Sequence, residues 1–217
     1  MPKQKFKKDK PEIGVRPKEN AEFWKGNFGD RYISRNIDPK ILASNIGFFG
    51  RVFSQTNRPK TLIEFGPNIG YNLRAIQKII PEILMTGVEI NESAVDQLKS
   101  IPNLKVIHSS VLDYKPKEKF DCVLVKGLLI HINPRNLDHL YETIYRSTKR
   151  YVCIAEYFNP TPVTIPYRGH KNKLFKRDFA QDMLKKFPDL QLVDYGFFYH
   201  LDPLVPQDDL NWFLLQK

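Results

Sequence analysis

The sequence predicts an α/β fold with a mostly parallel sheet. Three observations carry it: strand-like and helical runs alternate from residue 61 onward, a glycine-bearing turn follows the first strand, and acidic residues stand near the ends of the first three strands. Alternation of this kind is the pattern of βαβ units, whose strands run parallel.

The elements follow in order. Residues 20–36 set Phe23, Trp24, Phe28, Tyr32 and Ile33 at mixed helical spacing, and 38–54 reads as a second helix opened by Asp38-Pro39, a helix start signal. Strands are expected over 61–66, 84–90, 104–109, 121–127, 151–157 and 191–198, and a final short apolar run, 212–215, closes the chain. Helices are expected over 70–80, 92–100, 134–148, where Asn133-Pro134 opens the run, and 178–187, each placed by hydrophobic periodicity.

With 217 residues, 41% hydrophobic and 27% charged, the composition is that of a single soluble domain able to bury a core. The run 20–217 is expected to form it, with 20–56 as a helical lid and 159–177 as an insertion rich in Pro, Lys and Arg. No apolar run reaches the ~18–20 residues of a membrane span, and the start lacks the apolar core of a signal peptide. A cytoplasmic protein without membrane insertion is therefore expected. Cys122 and Cys153 lie in apolar strand-like runs, where thiols pack as small hydrophobes.

The net charge of +10 attracts polyanions and anionic substrates alike. Part of it comes from Lys3, Lys5, Lys7, Lys8 and Lys10, in a stretch too polar to offset its ordering entropy. Residues 1–19 are thus expected to be a flexible basic tail, with a nucleic-acid arm as the alternative.

The chemistry gathers around the first strand. Glu64 near its end, then Gly66 and Gly70 before a helix, let backbone approach a ligand and aim helix N-terminal amides at it. Glu89 ends the second strand, where a carboxylate can accept from the vicinal hydroxyls of a ribose. The spacing Gly66-x-Asn68-x-Gly70 is not the G-x-G-x-x-G of a dinucleotide loop.

It resembles instead the first motif of class I S-adenosylmethionine-dependent methyltransferases, an acidic residue, a spacer and G-x-G-x-G, with Asn68 in place of the middle glycine. Asn tolerates a positive φ better than most residues. The resemblance implies a Rossmann-like fold: a seven-stranded, mostly parallel sheet with an antiparallel C-terminal strand and helices on both faces. It also implies S-adenosyl-L-methionine as cofactor. By the same resemblance Glu64 orders the loop near the methionine moiety, Glu89 holds the ribose, and Asp113 reaches the adenine amino group. Tyr32 and Arg35 on the leading helix are candidate cofactor contacts, as is Lys126 at the end of strand four.

Longer strings are similar to the pseudaminic acid biosynthesis-associated methylases: Phe23 to Tyr32, Lys126 to Pro134, Ala155 to Pro162, Ile165 to His170, Tyr195 to His200 and Gln207 to Trp212. This resemblance implies a bacterial methylase acting on a small anionic sugar of the nonulosonic-acid class. Tyr157, Asn159, Arg168 and Lys173 are the candidate substrate contacts.

Transfer to a hydroxyl calls for alignment and a proton acceptor. His131, after strand four, and His170, in the insertion, are the candidate bases; a histidine bonded to backbone fits His131 equally, and a solvated loop residue fits His170. Lys126, inside an apolar run, either faces the cleft or pairs with Glu64 or Asp121. No Cys/His spacing suits a metal. A nucleic-acid methyltransferase is disfavoured because Lys126-Gly-Leu-Leu stands where base-amino methylases carry an Asp/Asn-Pro-Pro-Tyr-like run. A non-catalytic cofactor-binding module stays open, and the oligomeric state is not legible.

Overall fold

The computed structural model describes residues 19–35 and 38–217. The lysine-rich run Lys3 to Lys10 lies outside the described residues, as does the side chain of Arg35.

The leading helix expected over 20–36 is divided into α1 (Glu19–Lys25) and α2 (Asn27–Arg35). Gly26 interrupts the run, where glycine costs the most backbone entropy. After α3 (Pro39–Phe53) the alternation proceeds as β1 (Thr61–Phe65), α4 (Tyr71–Ile79), β2 (Leu84–Glu89), α5 (Glu92–Leu98), β3 (Leu104–His108), β4 (Phe120–Lys126), α6 (Pro134–Ser147) and β5 (Thr148–Glu156). The C-terminal half adds a hairpin of β6 (Val163–Tyr167) and β7 (His170–Lys176), then α7 (Phe179–Lys186), β8 (Gln191–Phe198) and β9 (Leu210–Gln216). Side chains of Asp38, Asn91, Asn133 and Asp178 cap α3, α5, α6 and α7 by accepting from backbone N–H groups; such caps are worth about 1 kcal/mol each.

The seven-stranded sheet has the order β3-β2-β1-β4-β5-β9-β8. β1 to β5 pair in parallel, and β9 runs antiparallel to both β5 and β8. Side-chain alternation sorts each central strand onto two cores. Ile63, Val123, Val125 and Val152 pack with α6 and α7 residues such as Leu140 and Met183 on one face. Leu62, Cys122, Leu124 and Cys153 pack with Phe48 and Phe49 of α3 and with Leu73 and Ile76 of α4 on the other. Burial on both faces is why these strands read as continuous apolar runs. Both cysteines are free and buried.

The insertion over 159–177, read from sequence as a loop, contains the β6–β7 hairpin. Arg168 and Gly169 link the strands at φ 49 and 83, the positive-φ pair of a two-residue type I′ turn. The prolines obscured this: Pro166 sits where the register shifts between Ile165 and Tyr167, a position that dispenses with a ladder N–H.

Candidate functional site

Because β1, β2, β4 and β5 are parallel, their C-terminal ends meet at one edge, the usual ligand edge of an open α/β sheet. A cavity of ≈ 700 Å³ opens there, within the range of small-molecule sites.

One wall belongs to the strand ends. Gly66, Asn68 and Gly70 all take positive φ, at 71, 50 and 83. Asn68 therefore supplies the left-handed conformation that a glycine would provide. Gly70 has a second constraint: a Cβ there would lie 2.5 Å from Ile101 Cδ1 and 2.7 Å from Leu98 Cδ2. Glu89 braces the turn. Its carboxylate accepts from Asn68 N at 2.8 Å, Ile90 N at 2.8 Å and Asn91 N at 2.9 Å. Burial pushes its pKa up, against the pull of those amides.

Behind this wall Glu64 is fully buried and accepts from Asn72 Nδ2 at 2.6 Å, while its Oε2 has no hydrogen-bond partner. Burial raises it to about 7. Asn72 extends the contact through Asn45 to Gln207, in links of 3.0 and 3.1 Å, so the acid on β1 is tied to the β8–β9 connection. Lys126 lines the cavity with its ammonium 5.6 Å from the Phe48 ring. Burial lowers its pKa, opposed by Glu64, Asp208 and Glu156.

Glu156 ends β5 in the same manner. Its carboxylate takes N–H bonds from Leu128 at 2.9 Å, Leu129 at 2.8 Å and Ile130 at 3.4 Å. It thereby holds the 3-10 turn Leu129–His131 under the cavity. Burial lifts Glu156 to about 7.

The roof has two parts that interlock through rings. Phe23 stacks on Phe28 at 4.0 Å and meets His170 at 5.0 Å, and Tyr167 lies 5.0 Å from His131 and 6.5 Å from Trp24. The helical part is docked by Asn91, whose Nδ2 donates to Asp30 Oδ1 at 2.9 Å while its Oδ1 caps α5. Gly29 is needed at this contact, since a Cβ would fall 2.0 Å from Trp24 O and 2.8 Å from Asn91 Nδ2.

Residues 62–150 match the profile of a methyltransferase domain. The chain is an S-adenosylmethionine-dependent methyltransferase. Its fold is similar to that of the Burkholderia thailandensis 1,6-didemethyltoxoflavin N1-methyltransferase solved with S-adenosylhomocysteine, at TM-score 0.71 and 13% identity over 95% of this chain and 92% of that one. A plantazolicin methyltransferase with the same ligand aligns at TM-score 0.62 and 15% identity over 91% and 93%. A glycopeptide N-methyltransferase aligns at 0.63 and 8% over 88% and 98%. No curated protein matches the sequence.

The residues present suit this methyltransferase's cofactor: the partnerless oxygen of buried Glu64, the positive-φ loop and Glu89 form a polar cradle for a nucleoside with a charged tail. Bound there, the cofactor supplies an electrophilic methyl group on a sulfonium.

The cavity wall brings together Tyr32, Gly66, Asn68, Glu89, Lys126, His131, Tyr157 and Arg168 of the residues expected from sequence. Gly70 sits one step behind, at the start of α4. Asp113 is not on the wall. The turn after β3, closed by Leu112 N and Asp113 N on Ser110 at 3.2 and 3.0 Å, exposes it and presents Ser110, Val111 and Leu112 instead. Asn159 is exposed and bonded within its own loop to Thr161. Lys173 faces the Phe23 ring at 4.8 Å, outside the cavity lining.

The two candidate bases fare differently from expectation. His170 is exposed and packed on Phe23 and Phe28, away from the cavity lining. His131 lines the cavity, but its Nδ1–H donates to the Lys173 carbonyl at 2.8 Å, and burial depresses it to about 4. Burial thus disfavours its charged form, and its ring forms part of the cavity wall. The charge of Glu64 acts on Lys126, whereas Asp121 takes Lys60 N, Thr61 N and Lys149.

Sequence reasoning missed the β8–β9 connection, whose His200, Gln207 and Asp208 line the cavity. The Tyr195–His200 and Gln207–Trp212 strings stood out only by resemblance, because a loop beyond the last helix carries no periodicity. Among the described residues no cluster suits a metal ion, and no helix is long and apolar enough to cross a membrane.

Proposed function

We propose that this methyltransferase acts on a small anionic sugar, of the nonulosonic-acid class related to pseudaminic acid, as a cytoplasmic step of bacterial glycan biosynthesis. The observation that carries the reading is Arg168 on the lining of the same cavity as the cofactor loop. A guanidinium there can grip a sugar carboxylate in two-pronged fashion. Tyr157, Tyr167 and Asp208 add hydroxyl and carboxylate partners on the same side, suited to a polyol. The roof of α1, α2 and the β6–β7 hairpin favours a compact acceptor over a polymer.

In this reading Glu89 takes the ribose hydroxyls, Ser110 to Leu112 flank the adenine, and Glu64 with Lys126 sets the charge at the methionine end. The protein's part is alignment and exclusion of water.

The test is calorimetry with S-adenosylmethionine, followed by turnover on free and nucleotide-activated nonulosonic acids with mass detection of the methylated product. Binding and methylation of a sugar acid are expected. Methylation of neutral or nucleic-acid acceptors alone refutes the acceptor class, and binding without any product from a broad acceptor panel supports a non-catalytic module.

A further inference from the structure

The cavity's titratable groups narrow the search for a proton acceptor. Glu89 is engaged by three backbone N–H groups, Arg168 is a permanent cation, and His131 is a depressed, walled-in imidazole. Lys126 is a buried cation beside the acids of the strand ends, and Asp208 takes the Tyr157 hydroxyl; His200 lines the wall formed by the β8–β9 connection and holds a ring nitrogen free of these pairings.

His200 is held in an oriented pair. Its Nδ1 lies 2.9 Å from Asp209 Oδ1 and 3.0 Å from Oδ2. A carboxylate only accepts, so Nδ1 carries the hydrogen and Nε2 carries the lone pair. Asp209 Oδ1 also accepts from the His200 backbone N at 3.0 Å, fixing main chain and ring together. Asp209 sits at φ 51, a conformation that costs energy for a residue with a side chain and is held only by its surroundings. The ring is half exposed and edge-packed on Tyr199 at 4.5 Å. Beside the pair, Tyr157 OH donates to Asp208 Oδ2 at 3.2 Å.

We propose that His200, oriented by Asp209, is the general base for methyl transfer to an acceptor hydroxyl, a proposal that rests on the sugar-acid reading above. The hydroxyl oxygen forms a bond to the methyl carbon as the carbon–sulfur bond breaks, its electron pair leaving on sulfur. The hydroxyl proton passes to Nε2, and S-adenosylhomocysteine is the leaving group. Asp209 keeps the tautomer and offsets the charge on the imidazolium, the logic of a carboxylate-supported histidine base. Asp208 and Tyr157 stand beside the base to position the acceptor.

The experiment uses the full chain with pseudaminic acid as acceptor. His200→Ala and His200→Gln should each lower kcat by about a hundredfold or more, with KM for the acceptor and calorimetric affinity for S-adenosylmethionine within about threefold. Asp209→Asn keeps the backbone acceptor and should cost less, about tenfold, because only the ring's orientation and charge support are lost. Wild-type turnover with an undiminished rate in both His200 variants overturns the base and leaves the sugar-acid reading standing. No wild-type turnover of the sugar acid removes the acceptor reading, and the base with it.

Discussion

The two walls of the cavity are built differently. The wall with the glycine-bearing loop is made of strand ends and the turns directly after them, and Glu89 there is committed to three backbone amides. The wall proposed for the acceptor is gathered from the region after β5, a hairpin turn and the β8–β9 connection, and bonds there run between side chains, as in Tyr157 to Asp208 and His200 to Asp209. Bonding to the main chain gives a wall that resists change. Bonding between side chains gives one that can be altered residue by residue.

This contrast breaks if the loop proves tolerant. Gly70→Ala forces a Cβ to within 2.5 Å of Ile101 and keeps φ at 83; together strain and crowding should cost about 2–4 kcal/mol in urea unfolding. An unchanged midpoint would show that the cofactor wall is not rigid.

The pH dependence sharpens it next. Glu64 and Glu156 both rise from 4.5 to about 7 on burial, so the folded state holds their protons more tightly, and each adds stability on acidification that is lost as pH rises through 7. His131 falls from 6.5 to about 4, so it removes stability as pH drops through that interval. These terms oppose one another between about pH 4.5 and 6.5. Glu156→Gln deletes one carboxylate contribution, and its stability at pH 5 relative to pH 7.5 should fall behind that of wild type by about 2–3 kcal/mol. Parallel profiles for the two proteins would contradict this.

On the acceptor side effects should be kinetic and local. Arg168→Ala is expected to raise the acceptor KM about tenfold at unchanged kcat and cofactor affinity, read by steady-state assays. A loss of cofactor binding would mean that the walls are not separable. The smallest change is Asn68→Gly. Since φ is already 50, stability should move by less than about 1 kcal/mol, whereas a larger loss would assign the Asn68 side chain a role of its own.

The same contrast explains what the sequence disclosed. Glu64, Gly66, Asn68 and Glu89 stand out in the sequence because strand, turn and helix follow within a few residues and each leaves a periodic trace, and the last three line the cavity. The sheet was legible for that reason too. Asp113 was misread because one turn of backbone decides whether a side chain faces in or out, and Ser110 closes that turn. His200 and Asp209 lie nine residues apart in a loop, where neither periodicity nor spacing signals a pair. His170 looked catalytic as a histidine in a basic insertion, yet the hairpin turn carries it onto Phe23.

The ring-lined roof also gives the enzyme its own optical labels. The chain has two tryptophans. Trp24 stands in the roof 4.6 Å from His131, while Trp212 is buried on β9 at 2% exposure. Emission from Trp24 reports what happens above the cavity and that from Trp212 reports the integrity of the sheet, so roof movement and global unfolding can be followed separately in one unlabelled molecule.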